Sequence, residues 1–277
     1  MIYGCIPSEK DVRDYRIGVA SAAPLPDSVT LPMPSVKNQG ASPTCVAHAL
    51  STALEYHYEE EHGKHRVFST EFIYGYRPAD YYQGEGMCLR EALKTAQKIG
   101  DVFNTDLPGN HKVEAAKEAV EEKLGTLKDL AYPHRISAYY RCDTEREIKS
   151  ALANCDPVIF AIECRDGDKV ENGVWKTDEK AAVNGCHAML IYGYNITGYL
   201  VQNSWSAAWA THGRCVIPYG TKLVEAWGIH DGIMEGDDDI IEPFKTKLGK
   251  LIAKILNAII RIFSRKAKKE GNPNETC

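Results

Sequence analysis

The chain has 277 residues, 44% hydrophobic and 26% charged, a composition that supports one sizeable core or two small ones. The formal net charge of −5 hides a division: from Phe244 onward there are nine Lys/Arg and two Glu, a net of +7, which leaves −12 on the rest. An acidic body argues against nucleic-acid binding by that body, because a phosphate backbone needs a basic face.

The nine cysteines (5, 45, 88, 142, 155, 164, 186, 215 and 277) are odd in number and scattered, with no CxxC pair. The first residues, MIYGCIPSEKDVRDYRIG, contain no apolar run of the kind a secretory signal needs. Most thiols are therefore expected to be reduced, in a cytoplasmic compartment. In that setting the sequons at Asn195-Ile196-Thr197 and Asn274-Glu275-Thr276 read as chance.

Five prolines (7, 24, 26, 32, 34) keep residues 1–35 mostly irregular. From Thr44 to Glu61, Val46, Ala47, Ala49, Leu50, Ala53 and Leu54 recur at helical spacing, and Gly63 ends the run. Shorter helices are expected over 69–76, 89–99 and 113–124, and over 144–154 behind a Thr144/Glu147 capping box. The period then changes. Val158–Cys164 reads as a buried strand after Pro157. His187–Tyr194 and Gly198–Val201 read as a hairpin, and Arg214–Tyr219 as a further strand. Helices first and sheet second predict an α+β fold with two lobes.

Beyond the acidic stretch at 235–239, Leu248, Leu251, Ile252, Ile255, Leu256, Ile259, Ile260 and Phe263 form an apolar stripe flanked by Lys and Arg. It is too short and too charged to span a bilayer, which takes about 20 apolar residues. It suits the surface of an anionic membrane through residues 244–265. The alternatives are packing on the acidic body, a helix-in-groove partner or an oligomer.

The residues with the most definite chemistry are Gln39, Cys45, His187 and Asn203. Cys45 opens a helix, where unpaired N–H groups favour the thiolate. His187, mounted on a strand, can take the thiol proton and form a thiolate–imidazolium pair. Asn203 can accept from the other ring N–H, and Gln39 can donate to an oxyanion beside the Cys45 N–H. Each residue alone has a plain structural reading: a buried thiol, a core histidine, a strand-end turn. The joint pattern outweighs these readings. His62 and His65 lack the partners a metal site requires and read as a surface loop; no metal or cofactor is expected.

The segment V-K-N-Q-G-A-S-P-T-C-V-A-H-A (36–49) resembles the nucleophile segment of papain-like cysteine peptidases, with Gln39 six residues before Cys45. G-C-H-A-M-L-I-Y-G-Y (185–194) resembles that family's histidine segment, and Q-N-S-W-S-A-A-W (202–209) its Asn-Ser-Trp segment, sixteen residues from His187 to Asn203. The likeness covers roughly residues 26–220 and is nearest the compact bacterial or viral branch. It implies the papain-like two-lobe fold: a helical lobe, an antiparallel β lobe and an active-site cleft between them. It implies a thiol peptidase acting on peptides or proteins through the four residues above. Trp205 and Trp209 would shield the Asn203–His187 bond, and Gly84, Gly86 and Met87 would lie along the substrate side of the cleft.

The sequence departs from the family at Ser42, where a half-cystine is usual, and at Ser206 and Ala210, where glycines are common. The family's other possible uses are a catalytically silent binding module and acyl transfer to an amine. Residues 26–234 are taken as the peptidase domain, 235–243 as an acidic linker, and 244–277 as the basic amphipathic helix and tail. Residues 1–25 form either an arm packed on the body, the preferred reading, or a short pro-like segment blocking the cleft.

Overall fold

The computed structural model divides into two units, Met1–Asp231 and Gly232–Cys277. It describes residues 3–16, 24–77, 85–109 and 113–231. Gly84, the acidic linker and the basic stripe lie outside the described residues.

In chain order the elements are β1 (Cys5–Ile6), β2 (Val29–Thr30), α1 (Cys45–His62), α2 (Thr70–Gly75), β3 (Met87–Cys88), α3 (Leu89–Lys98), α4 (Val113–Glu122), α5 (Leu124–Ala131), β4 (Ala138–Arg141), α6 (Glu145–Ala153), β5 (Val158–Arg165), β6 (Lys169–Glu171), β7 (Val174–Lys176), β8 (Val183–Asn195), β9 (Gly198–Gln202), β10 (Arg214–Pro218) and β11 (Glu225–His230). Helices dominate the first half and strands the second, the α+β layout the patterning predicts.

The helix ends follow their sequence signals. Gly63 takes the left-handed conformation (φ 62°) and donates to the Glu59 carbonyl at 2.8 Å, which stops α1. Ser69 caps α2 by accepting the Phe72 N–H at 3.1 Å. Thr144 and Glu147 form the reciprocal capping box of α6. Every residue of α1 from Cys45 to His57 is buried, so α1 is a central helix and not a surface one.

The large sheet runs β4-β11-β5-β8-β9-β10-β7-β6, with β2 on β8; only the β10–β7 pairing is parallel. The longest pairing, β5 with β8, sets Ile162 opposite His187. The β8–β9 hairpin closes at Asn195 opposite Gly198. One core joins α1, α3 and one face of the sheet through Leu50, Leu93, Ile159, Ala188, Leu190 and Trp227. A second fills the β lobe around Phe160, Met189, Ile191, Val201 and Ile217.

Several elements depart from the sequence reading. The helix expected over 113–124 breaks at Lys123, and α5 follows it. Strands β1, β2, β3, β4, β6, β7 and β11 are not in the sequence reading. In β11, Gly228 interrupts an otherwise strand-like run, yet it is required: a Cβ there would lie 2.4 Å from the Tyr140 ring.

Candidate active site

Cys45 is the first residue of α1 and is fully buried. The hydroxyl of the preceding Thr44 caps no N–H of the helix; it hydrogen-bonds the Ser42 hydroxyl at 2.6 Å. The first-turn N–H groups, which have no partner four residues back, are thus left to the site. The Cys45 thiol accepts backbone N–H bonds from Ala188, Gly4 and Val46. The Ala188 contact brings β8 against the start of α1.

His187 is likewise fully buried on β8, and its Nε2 lies 2.8 Å from Asn203 Oδ1. The same oxygen accepts the Ser204 N–H at 2.7 Å. An oxygen accepting two bonds fixes the tautomer with the proton on Nε2. Nδ1 then carries the lone pair, and it is buried with no hydrogen-bond partner. Trp205 stacks on the imidazole, centroids 4.4 Å apart at 23°, and Trp209 meets Trp205 edge-on at 5.4 Å. The structure therefore brings Cys45, His187, Asn203, Trp205 and Trp209 together.

Gln39 is also buried, one turn before the helix. Its Nε2 donates to the Ser42 carbonyl at 2.8 Å and its Oε1 accepts from the Ser204 hydroxyl at 2.6 Å. Ser204 thus braces both amides, Gln39 by its hydroxyl and Asn203 by its N–H. The sequence reading passed over Ser204, though its place directly after Asn203 was the available signal. Ser42, where the family has a half-cystine, is held without a disulfide by donating to the Gln39 carbonyl at 2.6 Å. Ser206 and Ala210 take left-handed backbone (φ 69° and 46°), which explains why glycine is usual at these positions.

The site differs from the sequence expectation in its charge. Burial pushes the Cys45 thiol up to about 11 and the His187 ring down to about 4. Both shifts favour the neutral thiol and the neutral imidazole over the ion pair while the site is covered. What buries them is the chain's own start. Tyr3 approaches the His187 and Trp205 rings, at 6.3 and 6.5 Å. Gly4 donates its N–H to Cys45 Sγ and accepts the Met87 N–H at 2.8 Å. Cys5–Ile6 pairs in parallel with Met87–Cys88. Gly86 and Met87, expected along the substrate side of the cleft, are thus covered by this strand: a Cβ on Gly86 would fall 2.5 Å from Ile6 Cγ1.

The arm is tied down further along. Ser8 N–H donates to Glu225 at 2.9 Å, and Asp14 pairs with Arg90 at 2.7 Å and Arg141 at 3.6 Å. Among the described residues no group of three or more His, Cys, Asp or Glu is placed to hold a metal.

Comparison with curated proteins yields no match. Solved structures similar to the chain include xylellain, a cysteine protease from Xylella fastidiosa, at 23% identity and TM-score 0.73, covering 83% of this chain and 96% of that one. Procathepsin B S9 from Trypanosoma congolense aligns at 16% identity and TM-score 0.65, covering 84% and 87%. Procathepsin L 3 from the Tenebrio molitor larval midgut aligns at 18% and 0.61, covering 79% and 74%. At such identities these likenesses speak to the fold, which is papain-like. The family model for papain family cysteine protease matches residues 27–234. By that match, with a thiol, an imidazole and two amides converging where α1 meets β8, the chain belongs to the papain family of cysteine proteases.

Proposed function

We propose that Cys45, His187, Asn203 and Gln39 carry out peptide-bond hydrolysis once the arm has left the cleft. With the arm gone, the Cys45 proton passes to His187 Nδ1 and the thiolate attacks the substrate carbonyl carbon. The Cys45 N–H and the second Gln39 Nε2 hydrogen receive the oxyanion. The imidazolium protonates the leaving amine, giving an acyl-enzyme and a free N-terminal amine. His187 then takes a proton from water, whose oxygen attacks the thioester and releases the acid and the thiol. Asn203 holds the ring through Nε2–H throughout, and Trp205, backed by Trp209, keeps water from that bond.

The observation that carries this reading is the tautomer. Asn203 Oδ1 accepts from Nε2 at 2.8 Å and leaves a buried, unpartnered Nδ1 as the base. Cleavage of a peptide library by the wild type and by Cys45→Ala, on protein lacking residues 1–7, tests it. Cys45-dependent cleavage is expected. Cys45→Ala cleaving as fast would overturn the assignment of the nucleophile. Adding an amine acceptor to the same reaction separates hydrolysis from acyl transfer, since transfer would give amide products in place of acids. Absence of both cleavage and Cys45 labelling would favour the silent binding module.

The substrate-side role of Gly84, Gly86 and Met87 belongs to this proposal; its support is that Met87 already offers an N–H to an extended backbone. We further propose that residues 244–265 hold the peptidase at an anionic membrane surface facing the cytoplasm. The support is the net +7 from Phe244 onward beside an apolar stripe. Co-sedimentation with anionic liposomes, with and without residues 244–277, checks this, and equal binding by both forms contradicts it.

A further inference from the structure

We propose that Cys5 and Cys186 form a reversible disulfide that locks the N-terminal arm across the active site, so that oxidation switches the peptidase off. The proposal rests on the peptidase reading above for its consequence, but the crosslink itself does not depend on it.

The geometry is local and specific. The arm runs over the start of α1 with Tyr3 against Gly185, where a Cβ would lie 2.8 Å from Tyr3 Cβ. Gly4 sits on the Cys45 thiol. The next side chain, Cys5, turns inward and packs in the same cluster as Cys45 and Cys186, with 7% and 8% exposure for Cys5 and Cys186. Strand β1, which carries Cys5, packs against β8, which carries Cys186 beside Gly185. Catalysis uses neither sulfur. Cys186 precedes His187 on β8, where it lies opposite Glu163 of β5.

The arm's anchorage makes the lock efficient. Between Ser8 and Asp14 it is tied down: Ser8 N–H to Glu225, Ser8 Oγ to the Arg90 N–H at 3.2 Å, and Asp14 to Arg90. Only the few residues before Pro7 need to lift to uncover Cys45. Cys5 therefore never moves far from Cys186, and the closing step has a high effective concentration.

The chemistry balances with a small disulfide, RSSR, as oxidant. While the arm is lifted, the Cys5 thiolate attacks one sulfur of RSSR, forming Cys5–S–SR and releasing RS⁻, which takes up the Cys5 proton. When the arm closes, the Cys186 thiolate attacks the Cys5 sulfur and expels the second RS⁻, which takes the Cys186 proton. One S–S bond is broken in RSSR and one is formed between Cys5 and Cys186; RSSR gains two electrons and two protons and leaves as two RSH. A dithiol reductant reverses the sequence and frees the arm.

The test uses the full chain as wild type, Cys5→Ser, Cys186→Ser and Cys45→Ala. Each is treated with oxidised glutathione, freed of it, and divided between peptide mapping without reductant and iodoacetamide labelling of Cys45, before and after dithiothreitol. The expected result is a Cys5–Cys186 crosslink in wild type and Cys45→Ala. In wild type, Cys45 labelling should fall by about tenfold or more, recovering with reductant. Cys5→Ser and Cys186→Ser should label at nearly the same rate before and after oxidation. The proposal is overturned if Cys5 is found joined to Cys45 or left as a glutathione mixed disulfide, or if wild type and Cys5→Ser lose labelling alike. The crosslink in Cys45→Ala is read without any activity. A crosslink accompanied by no peptide cleavage from any reduced form sinks the peptidase reading alone. Cleavage without a crosslink sinks the latch alone.

Discussion

Gly4 is the residue on which cover of the nucleophile depends. A Cβ at Gly4 would stand 1.8 Å from the Pro43 carbonyl oxygen and 2.3 Å from its carbon, backbone atoms fixed at the entry to α1. To reach even the 3.0 Å floor of real Cβ contacts, the arm in Gly4→Ala must back away by about 1.2 Å. Two hydrogen bonds end on Gly4: its carbonyl accepts the Met87 N–H at 2.8 Å, and its N–H reaches Cys45 Sγ. A retreat of that size breaks both. At about 1 kcal/mol net for each bond, the closed arm loses about 2 kcal/mol, which changes the closed-to-open ratio roughly 30-fold.

The assay is the rate of iodoacetamide labelling of Cys45 near neutral pH under reducing conditions, read by peptide mapping. It compares wild type, Gly4→Ala and protein lacking residues 1–7. The truncated protein sets the ceiling. Gly4→Ala is expected to label about 30-fold faster than wild type, or to reach the ceiling if that comes first. If truncation accelerates labelling while Gly4→Ala labels like wild type, the clash with Pro43 is not what seats the arm. If truncation itself leaves labelling unchanged, the arm is not what buries the nucleophile.

Two further outcomes follow from the bracing of the site and from its backbone. Ser204→Ala removes the hydroxyl that holds Gln39 Oε1 at 2.6 Å. On protein without residues 1–7, kcat is expected to fall about tenfold with KM little changed. Iodoacetamide labelling of Cys45 should keep its rate, because alkylation passes through no oxyanion; equal losses in both would mean that Ser204 supports the fold and not the amide. Ala210→Gly relieves an exposed left-handed alanine (φ 46°). It is expected to raise stability by about 1 kcal/mol in urea unfolding, and a loss would show that the turn is not strained there.

The sequence makes the nucleophile and its base legible because each lies in a local pattern. The Cys45 helix shows in the apolar spacing from Val46 to Leu54, and His187 and Asn203 lie on two strands of one hairpin, so their distance is set by a short stretch of chain. The arm was not legible in the same way. Its seat depends on Gly4 meeting Pro43, β1 packing on β8 and Cys5–Ile6 pairing with Met87–Cys88, contacts between distant parts of the chain with no periodicity to announce them. The sequence offered an arm or a blocking segment as alternatives and preferred the arm; residues 3–6 lie over the nucleophile, and their effect on activity is what the labelling experiment reads. Strand β11 was missed because Gly228 weakens its strand signal, and only Tyr140, from a neighbouring strand, explains the glycine. The opposed pKa shifts of the thiol and imidazole are invisible in the sequence for the same reason, since they follow from burial beneath the arm.

Cover and protonation are one equilibrium here, and its sign can be worked out most cleanly with a single titrating group. In Cys45→Ala the lifting arm uncovers Tyr3, Cys5 and His187, and of these only His187 titrates in acid, since the other two are raised further into the alkaline range. Burial pushes its pKa down to about 4 in the closed form, against an ordinary 6.5 when hydrated. Below 6.5 the open form therefore binds a proton that the closed form refuses. Closure keeps its full stability above 6.5 and weakens as pH falls toward 4, by about 3 kcal/mol in all. His57 is also pushed down to about 4, but it hydrogen-bonds the Ile229 carbonyl in the core and is buried whether or not the arm is seated. Hydrogen exchange at the Met87 N–H, which the closed arm protects, reads the equilibrium once corrected for the intrinsic rate. In Cys45→Ala that protection is expected to fall with acid through this window; a flat profile would mean that closing the arm does not desolvate His187. The wild type then carries the chemical information. If the uncovered thiol and imidazole share one proton as an ion pair, the open form already holds it, and the acid fall seen in Cys45→Ala is absent from the wild type. If the acid fall is the same in both, His187 in the open form titrates as an isolated imidazole, and the thiolate pair that peptide hydrolysis requires is not formed.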